Sequence, residues 1–170
     1  MNLFNFFIIS VLIVQSCNKR EDNVRNEKLA EYYKYGMLRY AVIEDIQQID
    51  LQGLKTWHPN VFTVMNFEQL IKQAIVVETK GYRGRAIDLD LYYRQYVCYI
   101  NPNGDSIVYV NAFCSLHNNY ITDSKGGFRE VPFDWSHKLL KAMDGGSCFW
   151  GVTINISKKR WSDFHINGEA

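Results

Sequence analysis

The chain has 170 residues, 47% hydrophobic and 15% aromatic, with a formal net charge of +1. That size and apolar content suit one compact domain and argue against a disordered tail. The near balance of charge, with no block of Lys or Arg, gives no electrostatic basis for binding nucleic acid or adhering to an anionic membrane.

The first residues, MNLFNFFIISVLIVQSC, hold no ionised side chain, and Phe6 to Val14 is an almost unbroken apolar run ending at Ser16 before Cys17. This is the pattern of a secretory h-region and cleavage site. A membrane-spanning helix needs about 20 apolar residues and this run is shorter, so residues 1–16 are expected to be a signal peptide. Val14-Gln15-Ser16-Cys17 resembles the lipobox of bacterial lipoproteins. The resemblance implies that the Cys17 thiol is lipidated and tethers the mature chain to the membrane of the bacterial envelope, at the periplasmic face or the cell surface of the outer membrane. Residues 17–27 are polar with almost nothing to bury, and read as a tether. Within them, Lys19-Arg20-Glu21-Asp22 is similar to the acidic export signals of Bacteroidetes lipoproteins, and a plain solvated linker accounts for it equally.

Residues 28–170 are expected to form one domain. Leu29, Tyr32, Tyr33 and Gly36 recur at helical spacing, whereas Met37 to Ile43 alternates as a strand does. Asn66 is placed to cap a helix with Phe67, Leu70, Ile71, Ala74 and Ile75 in one stripe, Gln69 completing a capping box and Gly81 ending it. Tyr92 to Ile100 and Ser106 to Cys114 read as a hairpin around Asn101 to Asp105. A two-residue turn at Asn103-Gly104 would set Cys98 opposite Tyr109, on a face with Tyr96, Ile100, Ile107 and Phe113, and would turn Cys114 to the other face. A loop longer by one residue reverses that parity. Ser115 to about Glu130 reads as a long polar loop. Trp135 to Met143 fits a short helix and a strand equally well. Asp144-Gly145-Gly146 is a turn, and Cys148 to Ile156 with Trp161 to Ile166 makes a second hairpin. The sum is an α+β domain: a twisted antiparallel sheet built from hairpins and packed on one face by an amphipathic helix.

An exported chain meets oxidising conditions, so Cys98, Cys114 and Cys148 are read first as disulfide partners. Their number is odd. A Cys114–Cys148 bridge is one reading, and three buried thiols the other. His58, His117, His137 and His165 are scattered, with no pair at zinc-ligand spacing, and Cys114-x-x-His117 lacks an orienting partner, so no metal, cofactor or nucleophilic site is expected. Asp88 and Asp90 sit at strand spacing, which suits a solvated edge more than an acid–base pair. No P-loop, nucleophile elbow or dinucleotide fingerprint occurs. Tyr92, Tyr96, Tyr109 and Phe113 would line one hairpin face, with His117 just beyond. Such a face packs under a helix or, if exposed, receives a protein or a sugar.

Tyr93-Arg94-Gln95-Tyr96, Asn101-Pro102-Asn103-Gly104, Val110-Asn111-Ala112-Phe113-Cys114, Asp144-Gly145-Gly146-Ser147-Cys148-Phe149 and the closing Ile166-Asn167-Gly168-Glu169-Ala170 resemble a family of small uncharacterised Bacteroidetes lipoproteins. The resemblance implies export and a strand before Asp144, without supplying a catalytic residue. The function expected is a lipid-anchored, non-catalytic module that binds an envelope protein or glycan. The alternative is a small envelope hydrolase whose Cys, His and Asp residues are brought together by folding.

Overall fold

The computed structural model describes residues 39–44, 51, 53–122 and 126–168. The expected signal peptide, Cys17, the expected tether and the helical spacing at Leu29 to Gly36 lie outside the described residues. The compact unit that holds the described residues runs from Arg39 to Ala170, and no helix among them is long and apolar enough to cross a membrane.

The unit is an α+β fold. Strands β1 (Tyr40–Val42), β2 (Tyr93–Ile100), β3 (Ser106–Phe113), β6 (Phe149–Asn155) and β7 (Arg160–Ile166) form a sheet in that order, and β4 (Asn118–Thr122) pairs with β5 (Phe128–Pro132) in a separate ribbon. All pairings are antiparallel except β1 with β2, which is parallel. Helix α1 (Val61–Glu78) buries Val64, Phe67, Ile71, Ala74 and Ile75. It starts earlier than Asn66. Asn60 takes the cap, its side-chain oxygen accepting from the Thr63 N–H at 2.9 Å, and Val64 extends the apolar stripe by one turn toward the N-terminus.

The turn between β2 and β3 decides what faces what. Ile100 pairs with Ser106 and Cys98 with Val108, so the loop is Asn101 to Asp105 and not the two residues Asn103-Gly104. The Asn101 carboxamide explains the longer loop: its Oδ1 accepts from the N–H groups of Asn103 (3.0 Å) and Asp105 (2.9 Å). A side chain thereby closes the turn in place of backbone, with Gly104 supplying the positive φ of +81°. The pairing register thereby moves by one residue from the two-residue reading, which turns every side chain of β3 to the opposite face relative to β2.

One face of the sheet packs on α1 through Tyr92, Tyr96, Cys98, Val108, Val110, Ala112, Trp150, Val152 and Ile154, a core closed further by Trp161 and Phe164. The other face carries Ala41, Ile43, Val97 and Tyr109 and is partly covered by Leu139 and Trp135. Those two residues belong to a strap, residues 133–144, that is neither the helix nor the strand its sequence permits. Buried amides hold it. Gln95 Nε2 donates to the carbonyls of Trp135 (2.7 Å) and Lys138 (2.6 Å), and its Oε1 accepts from the Leu140 N–H (2.8 Å). Asn111, paired with Gln95 across the β2–β3 ladder, donates from Nδ2 to Gln95 Oε1 (2.9 Å) and to the Leu140 carbonyl (2.8 Å). Side chains thus satisfy the backbone groups that a ladder would otherwise pair. Replacing Gln95 with Leu is expected to cost about 1–3 kcal/mol by leaving strap groups unpaired, and to speed hydrogen exchange at the Leu140 amide selectively. Unchanged protection there would contradict the tie.

At the opposite end of the sheet Asp105 accepts from Lys158 Nζ (2.6 Å) and Asn155 Nδ2 (2.9 Å), joining the two hairpin turns. Hydrogen bonds from Lys158 and Asn155 hold its carboxyl below the ordinary 3.8. A depressed folded-state value means that the contribution is complete above the ordinary pKa and is lost as pH falls through the depressed one. Acid unfolding of the Asp105→Asn variant, compared with wild type below pH 3.8, is therefore expected to show a shallower loss of stability. Parallel acid limbs would remove this role.

Candidate functional site

The part of the second sheet face that the described residues leave uncovered, beside the strap and Leu51, forms a cleft of about 440 Å³, within the roughly 300–1,000 Å³ common for small-molecule sites. Tyr99, Tyr109, Asn111 and His165 come from the sheet; Leu139 to Ala142 of the strap form one wall, and Asn167 lies just past β7. An adjoining cleft of about 380 Å³ shares Tyr99 and runs along Ile107, Thr153 and Arg160.

A bulge aims the histidine. The β6–β7 register shifts between Gly151 and Thr153, and Asp163 adopts a positive φ of 53°, a conformation uncommon for a residue with a side chain. Gly151 pairs with His165, and a Cβ on it would lie 2.5 Å from His165 Cε1 and 2.9 Å from Nε2. The imidazole therefore lies across the space that only glycine leaves open. Since a carbonyl only accepts, His165 Nδ1 carries the hydrogen it donates to Asp163 O at 3.0 Å, and in the neutral ring Nε2 is left as an acceptor. Asn167 spends its amide hydrogens on the carbonyls of Ala142 (2.7 Å) and Asp144 (3.3 Å), as Asn111 spends its own on Gln95 and Leu140. Among the described residues neither Oδ1 has a hydrogen-bond donor. Burial raises the phenol pKa of Tyr99, aided by the Asp163 charge, and that of Tyr109, so both hydroxyls stay protonated near neutral pH.

Comparison with known proteins finds no matching family model, no similar curated protein and no similar solved structure. The site must speak for itself.

The register separates the aromatic face expected from the sequence. Tyr92 and Tyr96 lie under α1, buried. Phe113 is buried on the other face, stacked 5.7 Å from Tyr93 and edge-on to Trp135. His117 sits between Phe113 and Phe149, its Nε2 buried without a hydrogen-bond partner among the described residues. Of the five residues only Tyr109 lines the cleft. Tyr99, Asn111, Gly151, His165 and Asn167 are not among the binding-face residues expected from the sequence, where His165 enters only as one of four scattered histidines. A five-residue turn would have put Tyr99, Tyr109 and Asn111 on one face; nothing in the sequence announces the strap.

The structure pairs Cys114 with Cys148 in a disulfide, with Cα atoms 4.9 Å apart. Cys98 is free and buried, and burial pushes its thiol up to about 12. Cys98 and Cys114 do share a face, contrary to the two-residue turn, but the six-residue offset along the hairpin puts them roughly 20 Å apart. Cys98 is expected to resist iodoacetamide at pH 8 until the chain is unfolded; rapid native labelling would contradict its burial. Asp88 caps the turn Leu89–Leu91, accepting from the Asp90 N–H, while Asp90 pairs with Lys72. The two carboxylates thus do not form a strand-face pair. Among the described residues no group of three His, Cys, Asp or Glu could hold a metal.

The Ser115 to Glu130 passage is not a loop throughout. It contains β4 and much of β5, a ribbon with exposed residues along almost its whole length. Tyr120 and Phe128, 71% and 81% exposed, project from one side of it.

Proposed function

We infer that the chain is a lipid-anchored bacterial envelope protein whose mature domain is a non-catalytic binding module, receiving its ligand in the cleft beside the strap. The observation that carries this reading is the composition of the cleft. It offers two tyrosines, two amide oxygens, a histidine and Lys141, and no thiol or carboxylate among its lining residues. Hydrolysis by the Cys/His/Asp set would require at least two such groups within hydrogen-bond reach in one pocket. Here Cys114 and Cys148 are consumed in a disulfide, Cys98 is buried under α1, and His165 is oriented by the Asp163 carbonyl, with no carboxylate bonded to it among the described residues. Anchoring rests on Cys17 and the lipobox resemblance; the membrane is then one partner and an envelope protein or glycan the other.

A second surface favours a protein partner: the exposed Tyr120 and Phe128 on the β4–β5 ribbon. The test separates the parts. The full chain isolated from membranes is expected to begin at a lipid-modified Cys17, and Cys17→Ala to move to the soluble fraction. Envelope material retained by the wild type is expected to fall at least about tenfold with Tyr109→Ala, a loss near 1.4 kcal/mol. Equal retention by the two proteins, or turnover of the retained material, overturns the reading.

A further inference from the structure

The groups that line the cleft are unbalanced in a way that selects a ligand class. Asn111 and Asn167 have committed their amide hydrogens to Gln95 and to strap carbonyls, so what they have left to offer is oxygen. His165 has committed its Nδ1 hydrogen to Asp163 O, leaving Nε2 as an acceptor. Three residues with an acceptor to offer therefore line one cleft together with Tyr99 and Tyr109. A ligand that fits must bring hydrogen-bond donors and an apolar ring face together.

Charge narrows the choice. Among the described residues that line the cleft Lys141 is the one cation and none is a carboxylate, the Asp163 charge acting on Tyr99 from outside the lining. An anionic ligand would set its own acceptors against the amide oxygens, and a cationic ligand would meet the Lys141 charge with no carboxylate among the described lining residues. A peptide backbone brings a carbonyl for every N–H and has no flat apolar face to lay on a tyrosine. A neutral sugar ring meets every condition: each hydroxyl can donate, its C–H face is apolar, and its ring or hydroxyl oxygens can accept from Lys141 and the tyrosine hydroxyls. The adjoining cleft, continuing from Tyr99 past Thr153 to Arg160, gives room for further residues of a chain.

We propose that the cleft of Tyr99, Tyr109, Asn111, His165 and Asn167 binds neutral saccharide units of an envelope or environmental glycan. The inference rests on the binding-module reading and names its ligand class. Gly151 supplies a sharp probe, because a methyl group there collides with the far end of His165, an exposed side chain that can swing away at small cost to the fold, although Val110 O at 3.1 Å makes the fit tight.

The experiment is calorimetric titration of the full chain, in zwitterionic non-sugar micelles, with neutral tetrasaccharides of gluco, manno, galacto and xylo configuration. Oligouronates and an unstructured polar peptide serve as comparisons. Saturable binding of at least one neutral tetrasaccharide is expected, weakened at least about tenfold by Gly151→Ala and by Tyr109→Ala, weakened less by Tyr109→Phe, and unchanged by Lys80→Ala. Near-native circular dichroism of Gly151→Ala and Tyr109→Phe keeps the result interpretable if Tyr109→Ala folds poorly. Binding undiminished in both Gly151→Ala and Tyr109→Phe, or no neutral saccharide binding at all, overturns the proposal. Binding of the peptide alone, lost in Gly151→Ala, overturns the saccharide class while sustaining the module. Cleavage of a bound tetrasaccharide sustains the ligand class and overturns the non-catalytic reading.

Discussion

Replacing Arg94 with Met is expected to destabilise the domain by about 3–5 kcal/mol, the usual consequence of removing one partner from a buried ion pair. Arg94 is only 2% exposed. Its Nη1 donates to the carbonyls of Leu89 (2.7 Å) and Tyr92 (2.9 Å), its Nε donates to the Tyr96 hydroxyl (3.0 Å), and its Nη2 pairs with Glu68 Oε1 (3.0 Å). Tyr96 donates in turn to the same Glu68 oxygen at 2.6 Å. One guanidinium therefore ties β2, the turn Leu89–Leu91 and helix α1 together. Burial works against the charge, but Tyr96 and Glu68 outweigh it and raise the Arg94 pKa, while burial, then Glu68, lifts the Tyr96 phenol well above its ordinary value. Met fills the volume of Arg without its donors: Glu68 would lose its counter-ion and keep only the Tyr96 hydroxyl, and the carbonyls of Leu89 and Tyr92 would each lose a charged donor. Urea unfolding of the full chain measures the loss directly. A change below about 1 kcal/mol would mean that water replaces the guanidinium freely, against its burial.

The second large effect concerns the Cys114–Cys148 disulfide, which closes a separation of 34 residues. Chain-entropy reasoning assigns a loop of that length about 4 kcal/mol of stabilisation through restriction of the unfolded state. The bridge also stands where the sheet continues beyond its last paired strand residues: the Cys114 N–H donates to the Cys148 carbonyl at 3.0 Å, one step past the Phe113–Phe149 pair. The enclosed segment contains the β4–β5 ribbon and the strap, so both are tied at their shared root. The double variant Cys114→Ser with Cys148→Ser, and the wild type under reductant, are expected to unfold at matching and markedly lower urea concentrations. Identical midpoints with and without reductant would contradict a stabilising bridge.

Much of the fold was legible because its signals are local. Alternation located β2, β3, β6 and β7 within about a residue, and the apolar stripe from Phe67 to Ile75 marked α1. The α1 start was misplaced because Asn66 and Asn60 are chemically equivalent caps, and only tertiary burial of Val64 chooses between them. The parallel pairing of β1 with β2 has no local signature, since parallel partners are joined by distant chain. The site was harder. Its floor depends on a one-residue difference in the Asn101 to Asp105 turn, set by which backbone groups one carboxamide accepts from. The strap depends on Gln95, Asn111 and Asn167, polar residues whose role is fixed only when segments some 25 to 45 residues apart meet. Periodicity carries no information about such contacts.

The same facts explain why the aromatic residues singled out from the sequence divide among three places. Tyr92 and Tyr96 serve the core under α1, Phe113 and His117 pack at the root of the β4–β5 ribbon, and Tyr109 alone remains beside open space. On the proposed binding reading, the amide and histidine acceptors around Tyr109 then matter more than aromatic content. The exposed ribbon bearing Tyr120 and Phe128 offers an independent surface, and ligand mapping distinguishes it from the cleft.

The most direct measurement is amide chemical-shift mapping of the full chain on addition of the saccharide that binds most tightly by calorimetry. The account predicts shifts concentrated at Tyr99, Tyr109, Asn111, Gly151 and His165, with smaller ones in the strap at Leu140 and Lys141. Shifts confined to Tyr120, Phe128 and their ribbon neighbours, with the cleft unperturbed at saturating ligand, would contradict it.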